Sequence, residues 1–275
     1  MKIPFTKLHG AKNDFLVTPA ADVPITDLQE LAMAICNRYT GVGADGWILL
    51  DRTEGPDALG QSASGQTYDA TIRIFNSDGS EPELSGNGTR CVALLLAGNK
   101  PGDPIRIRTG AGIKELRVVS NNQDREFQFE MNMGAIRVLE PHARVQGHDA
   151  VILDVGNPQC AIPVDDFDFD WRSAGAAIER DARFPNRTNV SFIRQVDRHT
   201  IDVRFWERGA GETNSSGTGS TGAAVAAIAR GFADSPVSVL TPAGPLQLRF
   251  EGEAWLTGPA EYVADGCFYY GKIVS

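Results

Sequence analysis

The stretch ERGAGETNSSGTGSTGAA, residues 207–224, places glycine and hydroxyl residues directly before an alanine-rich apolar segment. Such residues are typical of a helix N-terminus, where the first N–H groups lack a carbonyl partner and small side chains let an anion approach closely. A second stretch of this kind, SGNGT at residues 85–89, precedes the apolar segment RCVALLLAG. Each stretch predicts the start of a buried helix.

The two stretches lie at matching places in the two halves of the chain. Each follows a segment of alternating apolar and polar residues, 71–81 and 200–212, which predicts a half-buried strand. Ser216 lies 131 positions after Ser85, close to half of the 275-residue chain. The predicted fold class is therefore α/β (α+β), with two pseudo-symmetric domains that each wrap a β-sheet around a central buried helix.

The polar run SNNQDRE, residues 120–126, is the predicted boundary between these domains. It gives an N-terminal domain at 1–122 and a C-terminal domain at 123–261, with a last strand at 262–275 that packs back on the first domain. Amphipathic helices are predicted near 26–38 and 170–180, and further strands at 129–139 and 237–250.

Composition narrows the classes of function. The chain has 26 Lys and Arg against 35 Asp and Glu, a net charge of -9, which argues against a nucleic-acid partner or an anionic membrane. Neither an apolar run of about 20 residues nor a signal-peptide pattern is present in the sequence, so no membrane partner and a cytoplasmic location are expected.

The cysteines and histidines form no metal-binding pattern. The four cysteines lie far apart without a C-x-x-C pair, and the four histidines do not cluster. We therefore expect no metal site, and we expect the cysteines to be small buried side chains in a reducing compartment.

Residues 217–222 also satisfy G-x-G-x-x-G, the pattern of a dinucleotide-binding loop. In that loop the first glycine directly follows a strand and an acidic residue ends the next strand. Here a ten-residue loop, 207–216, is expected to intervene, and Asp234 precedes the following strand. The sequence therefore favours a small anion, such as a carboxylate, over a nucleotide.

Ordered motifs along the whole chain resemble those of the diaminopimelate epimerases, members of the cofactor-independent proline racemase and epimerase superfamily. The two active-site signatures of that family are matched by FNSDGSEPELSGNGTRC and ERGAGETNSSGTGS. Further matches are KLHGAKNDFLV (7–17), RYTGVGADG (38–46), VGNPQC (155–160), RFPNRTNVSF (183–192) and TGPAEYVADG (257–266).

This resemblance implies a reaction and a fold. The family interconverts LL- and meso-diaminopimelate by removing and returning the α-proton, with one base on each face of the carbon and no pyridoxal phosphate or metal. It has two pseudo-symmetric domains with the active site in the cleft between them. The expected partner is a small amino-acid substrate, no cofactor is expected, and a homodimer is an expectation of the resemblance.

Carried over to this sequence, the family motifs assign roles to thirteen residues. The two acid/base positions are Ser85 and Ser216. The carboxylate cradle comprises Gly86, Asn87, Gly217 and Thr218. The distal end of the substrate is assigned to Asn76, Asn157, Asn189 and Arg208, with Glu207 placed for an ammonium group. Asn13 is expected to line the cleft, and Gln159 is included as a substrate-binding position.

Three positions depart from the family pattern. Ser85 and Ser216 stand where the family has catalytic cysteines, and Gln159 stands where it usually has histidine. A cysteine ionises readily at a helix N-terminus, whereas a serine hydroxyl is a far weaker acid and normally needs an adjacent base. Glutamine can hydrogen-bond but cannot titrate.

Three explanations of the serines are open at this point. Both serines could have been introduced to silence the enzyme or to prevent a disulfide. A natural branch could work slowly with serine, on this or another substrate, with another residue or water as base. The chain could instead keep the cleft as a catalytically silent ligand-binding homologue.

Two other classes of enzyme fit less well. An epimerase or dehydratase of another amino acid, such as hydroxyproline, is an alternative, but the distal asparagine and arginine set favours a long dicarboxylate. A serine hydrolase is disfavoured because G-x-S-x-G is absent at both serines.

Overall fold

The computed structural model describes residues 1–24, 27–52, 60–63, 65–98, 103–122 and 126–271. The fold is mixed α/β, and contacts within the chain divide it into two compact units. Unit 1 comprises Met1–Met131 and Pro259–Ser275, and unit 2 comprises Asn132–Gly258. No helix in the described ranges is long and apolar enough to cross a membrane.

Unit 1 is built around one sheet. Its strands are β1 Lys2–Gly10, β2 Asn13–Pro19, β3 Gly46–Arg52, β6 Ala70–Asn76, β7 Ile105–Thr109, β8 Gly112–Asn122 and β9 Glu126–Gly134, with a separate hairpin of β4 Gly60–Gln61 and β5 Thr67–Tyr68. The sheet order is β1-β2-β3-β6-β7-β8-β9, in which β2–β3 and β6–β7 are parallel. The C-terminal part of β18, Ala254–Tyr269, pairs with β1 from Lys2 opposite Tyr269 to His9 opposite Glu261.

Two helices pack on these strands. The amphipathic helix α1, Leu28–Cys36, begins at Asp27, whose side chain accepts hydrogen bonds from the N–H groups of Gln29 and Glu30. Helix α2, Gly86–Ala97, packs against β1, β2, β3, β7 and β8, and eleven of its twelve residues are buried. Its apolar sequence explains this burial, because no face is polar enough to be left in water.

Unit 2 contains the remaining β-strands. Its strands are β10 Arg137–Val145, β11 His148–Asp154, β12 Pro158–Val164, β13 Asn189–Asp197, β14 Thr200–Glu207, β15 Gly211–Thr213, β16 Val237–Thr241 and β17 Gly244–Phe250, joined by the start of β18. The order is β18-β17-β16-β14-β13-β12-β11-β10, with β15 paired to β14, and β12–β13 and β14–β16 are parallel.

Unit 2, like unit 1, has one amphipathic helix and one buried helix. Helix α3, Trp171–Glu179, is amphipathic and begins at Asp170, whose side chain accepts from the N–H of Ser173. Helix α4, Gly217–Ala229, is buried from Gly217 to Ala227 and packs against strands β10 to β14, β16 and β17. The four predicted helices are present, with ends shifted by a few residues, and the strands predicted at 71–81 and 200–212 correspond to β6 and β14. The stretches 129–139 and 237–250 each cover parts of two strands, β9 with β10 and β16 with β17.

Three details differ from the sequence-based expectations. The run 120–126 covers the end of β8 and the first residue of β9, with 123–125 outside the described residues, whereas the two compact units divide after Met131. The segment 207–216 is not all loop, since β15 pairs within it. Cys36, Cys91 and Cys160 are buried as expected, but Cys267 is exposed.

Candidate active site

Ser85 forms the N-cap of α2. Its backbone is extended (φ −129°, ψ 115°), and its Oγ accepts a hydrogen bond from the N–H of Gly88 at 3.1 Å. Its carbonyl accepts from the N–H and the side chain of Thr89 at 2.8 and 2.7 Å. The hydroxyl is therefore held at the positive end of a buried helix, where negative charge is stabilised.

Ser216 has the same arrangement at the start of α4. Its backbone is extended (φ −137°, ψ 122°), and its Oγ accepts from the N–H of Gly219 at 3.0 Å. Its carbonyl accepts from the N–H of Ser220 at 2.9 Å. In both units the N–H groups of the first helical positions, Gly86–Asn87 and Gly217–Thr218, have no carbonyl partner within the helix. Each unit thus presents a hydroxyl next to a small anion-binding helix start.

A chain of side-chain amides lies beside the start of α2. Asn87, 2% exposed, donates from Nδ2 to Oδ1 of Asn13 at 3.2 Å. Asn13 donates in turn from Nδ2 to Oδ2 of Asp45 at 2.7 Å. Two of the residues that the sequence assigned to the site, one from β2 and one from α2, are therefore in direct contact.

Asn76 is placed differently within unit 1. It ends β6, and its side chain donates to Oγ of Ser80 at 2.9 Å in the turn that follows the strand. Among the described residues, no hydrogen bond joins the side chains of Asn76 and Asn13. Its role in binding a substrate remains a prediction.

Unit 2 has an amide chain of its own. Gln159, 2% exposed, donates from Nε2 to Oδ1 of Asn157 at 2.7 Å. Asn157 donates from Nδ2 to the hydroxyl of Thr218 at 3.3 Å. Oε1 of Gln159 has no hydrogen-bond partner in the part of the chain that the structure describes. The structure thus brings three of the predicted residues together at the start of α4.

The remaining predicted residues lie on β13 and after β14. Asn189 begins β13; its Oδ1 accepts from the backbone N–H of Arg208 at 3.1 Å, and its Nδ2 donates to the carbonyl of Pro158 at 3.0 Å. Glu207 is the last residue of β14. The exposed guanidinium of Arg208 donates to the carbonyl of Asn186 at 3.3 Å. Asn189 therefore joins the segment after β14 to the start of β12.

Sequence reasoning missed one residue that fixes this segment. Glu179, at the end of α3 and 2% exposed, accepts from the N–H of Gly209 at 2.9 Å and from the indole of Trp206 at 3.2 Å, and it pairs with Arg187 at 2.5 Å. Burial alone would raise the pKa of Glu179, but these hydrogen bonds outweigh it and hold the pKa below its ordinary value. A glutamate in the last turn of an amphipathic helix gives no sequence signal of such burial.

The serines differ from ordinary catalytic hydroxyls in their surroundings. Within the described residues, neither hydroxyl is hydrogen-bonded to a carboxylate or an imidazole. Each Oγ accepts an N–H, so each keeps a proton that it can donate. The arrangement is suited to giving a proton to a carbanion and poorly suited to removing one from carbon.

The sequence profile of diaminopimelate epimerase matches residues 5–139 and 151–263. The chain is 39% identical to the diaminopimelate epimerase of Ralstonia nicotianae, covering 97% of this chain and 96% of that protein. It is 36% identical to that of Ectopseudomonas mendocina, covering 97% and 99%. The chain belongs to the diaminopimelate epimerase family. The resemblance seen in the ordered motifs is thereby confirmed, and the chain is by family an isomerase of amino acids.

Solved structures of similar fold support the architecture. A hydroxyproline epimerase from Agrobacterium vitis, solved with bound trans-4-hydroxy-L-proline, superposes with a TM-score of 0.71 at 15% identity, covering 97% of this chain and 92% of that one. A predicted epimerase from Pseudomonas aeruginosa gives 0.69 at 16% identity, covering 96% and 98%. At these identities the likeness concerns the fold alone.

Proposed function

We propose that this member of the diaminopimelate epimerase family interconverts LL- and meso-diaminopimelate in the synthesis of lysine and cell-wall precursors, with Ser85 and Ser216 at the two acid/base positions. The observation that carries the proposal is the matched geometry of the serines. Each caps a buried helix at the same place in a family signature and accepts one N–H, at 3.1 Å in unit 1 and 3.0 Å in unit 2.

The helix starts supply the electrostatic part of the reaction. Removal of the α-proton leaves charge that delocalises onto the substrate carboxylate. The N–H groups of Gly86, Asn87, Gly217 and Thr218 are proposed to bind that carboxylate, because they lie at the positive ends of α2 and α4. The distal amino acid group is assigned to Asn76, Asn157, Asn189, Glu207 and Arg208, with Asn13 and Gln159 lining the site. The hydrogen bonds of Asn189 and Glu179 support this assignment, since they fix the segment that carries Glu207 and Arg208.

The architecture proposed with this function is that of the family. Units 1 and 2 would be its two pseudo-symmetric domains, each a sheet around one buried helix, with the substrate bound between them. A homodimer, a cytoplasmic location and independence of any cofactor are proposed from the same resemblance. The packing of α2 against strands of unit 1 and of α4 against strands of unit 2 supports the proposed pair of similar domains.

The serines set the rate in this proposal. A serine hydroxyl returns a proton to the carbanion readily, but it removes a proton from carbon only when a base first takes its own proton. We therefore expect proton removal to be the slow step, and epimerisation to be much slower than with cysteine. A silent ligand-binding homologue is the competing function, and it is favoured only by the absence of a base beside either hydroxyl in the described residues.

Exchange of the α-proton tests the proposal directly. LL-diaminopimelate is incubated with the protein in heavy water, and loss of the α-proton signal and formation of the meso isomer are followed by proton NMR. We expect slow exchange that is accompanied by inversion. Binding without any exchange would contradict epimerisation and support the silent homologue.

A matched pair of variants connects that exchange to the serine. Ser216→Ala removes one acid/base hydroxyl and one helix cap, whereas Asp170→Ala removes only a cap, from α3 in the same unit. Loss of a cap costs about 1 kcal/mol of stability in either case. Exchange should be lost in Ser216→Ala and kept in Asp170→Ala, and equal effects on the two rates would argue against the assigned position.

A further inference from the structure

Arg90 is a fully buried cation in the second turn of α2. Its side chain is 0% exposed, its Nη2 donates to Oδ1 of Asn87, and its Nε donates to the carbonyl of Pro259 at 3.2 Å. Its Nη1 has no hydrogen-bond partner, and no carboxylate pairs with the guanidinium, within the described ranges. Burial lowers the pKa of Arg90 to about 10, so the side chain is still charged at neutral pH.

Such a charge is costly to keep inside a protein. Burying an ion without a partner of opposite charge is strongly unfavourable, and buried ions can often be replaced by apolar side chains without loss of stability. The partners of Arg90 are a neutral amide and a carbonyl, which compensate the charge only in part. Asp45, the carboxylate at the other end of the hydrogen-bond chain, pairs with Arg38 at 2.7 Å, and the neighbouring Asp14 pairs with Arg38 at 2.8 Å. Among the described residues, no carboxylate therefore serves as the partner of Arg90.

The hydrogen bonds of Arg90 also fix the direction of the amide chain. Arginine only donates, and an ionised aspartate only accepts. Because Arg90 lies at one end and Asp45 at the other, Oδ1 of Asn87 must face Arg90, and both Nδ2 groups must point towards Asp45. The guanidinium therefore sets which way two predicted substrate-binding amides present their donors.

We propose that Arg90 is a positioning residue of the epimerase site, which orients Asn87 and Asn13 and supplies the counter-charge for the carboxylate bound at the start of α2. The proposal rests on the proposed function for the identity of the anion. The electrostatic effect of Arg90 on residue 85 does not depend on the substrate, because both residues lie at the N-terminal end of α2.

A thiol introduced by Ser85→Cys reports that field. A nearby positive charge favours the thiolate and lowers the pKa of the thiol, so its removal must raise that pKa. The pKa is measured from the ultraviolet absorbance of the thiolate as a function of pH. Each spectrum is corrected with the same protein lacking Ser85→Cys, which cancels the native cysteines. Cys36, Cys91 and Cys160 add little below pH 10, because burial raises the pKa of each to about 12.

Arg90→Met and Arg73→Met are compared in this background. Arg73 lies in unit 1 as well, but it is exposed and paired with Glu81 at 2.7 Å, so its loss removes one positive charge outside the helix. We expect Arg90→Met to raise the thiol pKa by about one unit, which Arg73→Met does not do. Equal thiol pKa values in the two variants would overturn the proposal.

Substrate binding provides the second readout, and it is measured in the protein that keeps Ser85. Arg90→Met is compared there with Arg90→Lys, which keeps the positive charge but lacks the planar guanidinium. The Kd for LL-diaminopimelate is expected to rise at least tenfold in Arg90→Met, and Arg90→Lys should recover part of that loss. An unchanged Kd in Arg90→Met overturns the positioning role. Absence of binding in the parent protein would reject the proposed substrate instead, and the thiol titration would still decide the counter-charge. If Arg90→Met does not fold, Arg90→Lys decides alone: it must keep the thiol pKa and weaken binding.

Discussion

The two units treat buried charge in opposite ways. Arg90 and Glu179 are the two charged side chains that are buried in the described part of the chain, and each unit has one of them. Glu179 is paired with Arg187 and accepts two further hydrogen bonds, whereas no carboxylate of the described residues pairs with Arg90. Removing one partner of a buried ion pair is strongly destabilising, whereas a buried charge that is compensated only in part can attract an anionic ligand.

The helix starts show the same difference. The signatures Ser85–Arg90 and Ser216–Thr221 match position by position, with an arginine in α2 where α4 has Thr221. In unit 1 the amide chain has a charge at each end, and in unit 2 it runs from Gln159 to Thr218 without one. The repeat has thus kept the cap geometry and changed the electrostatics, so the two acid/base positions are not equivalent.

The largest expected effect comes from placing a thiol at both acid/base positions, one in each unit. Ser85→Cys combined with Ser216→Cys should accelerate epimerisation by roughly 100-fold or more, because a thiol at a helix N-terminus ionises near neutral pH and then removes a proton from carbon. The measurement is meso-diaminopimelate formation by NMR. Ser215→Cys, a neighbouring thiol outside the cap, is the control and should leave the rate unchanged. A double variant no faster than the parent would count against both assigned positions.

The second effect tests the compensated ion of unit 2. Glu179→Gln should lower the free energy of unfolding by about 2–4 kcal/mol, because it breaks a buried pair and leaves hydrogen-bond donors unmatched. Glu212→Gln removes an exposed carboxylate paired with Arg172 at 2.6 Å and should cost less than about 1 kcal/mol. Urea unfolding at pH 7 compares them, and similar losses would show that burial of Glu179 does not matter.

The same pair gives a pH dependence with a defined sign. The pKa of Glu179 is lowered in the folded protein, so its contribution to stability is complete above its ordinary value of 4.5 and is lost as the pH falls through the lowered value. The stability difference between the parent and Glu179→Gln should therefore shrink below pH 4.5. A difference that stays constant down to pH 3 would contradict the assignment.

The two capped, buried helices could be predicted from the sequence, but the buried charge of Arg90 could not. The caps at Ser85 and Ser216 and the two buried helices could be predicted, because glycine and hydroxyl residues before an apolar run have few other uses. The burial of Arg90 could not, since an arginine in the second turn of a helix is usually solvated. Its one sequence signal is that it stands next to the wholly apolar segment CVALLLA.

The contacts between distant residues were also beyond sequence reasoning. Asn13 was predicted to line the site from its motif alone, but its bond to Asp45 depends on the pairing of β2 with β3, which brings their neighbours together. Glu179 acts on Gly209 across 30 positions of sequence. Such contacts follow from sheet register and helix packing, which local patterns do not specify.

A third effect compares the helix starts by titration. The thiol from Ser85→Cys should have a lower pKa than the thiol from Ser216→Cys, by about one unit, because both lie at a helix N-terminus and only the first has a buried arginine nearby. Alkylation by iodoacetamide as a function of pH measures both, with the parent protein as the blank for Cys267, the exposed native cysteine. A lower value at position 216 would reverse the proposed asymmetry.

The smallest effect concerns the glycines that donate to the caps. A Cβ at Gly88 would meet the flexible end of Ile48 at 2.9 Å and the ring of Phe15 at 3.3 Å, whereas one at Gly219 would meet both the ring of Phe205 and the Oγ of Ser216 at 2.9 Å. Alanine is favoured over glycine in a helix by up to about 1 kcal/mol. Gly88→Ala should thus cost less than Gly219→Ala, because its closest contact is the end of a flexible side chain and the ring of Phe15 lies farther away. Gly219→Ala should cost about 1–3 kcal/mol, since an aromatic ring and a cap oxygen cannot both move without loss. Thermal unfolding compares the two. If Gly88→Ala lowers the stability more than Gly219→Ala, the packing around the start of α2 is less adaptable than the packing around the start of α4. Arg90, which lies in that packing, would then be held more rigidly than the groups at the start of α4.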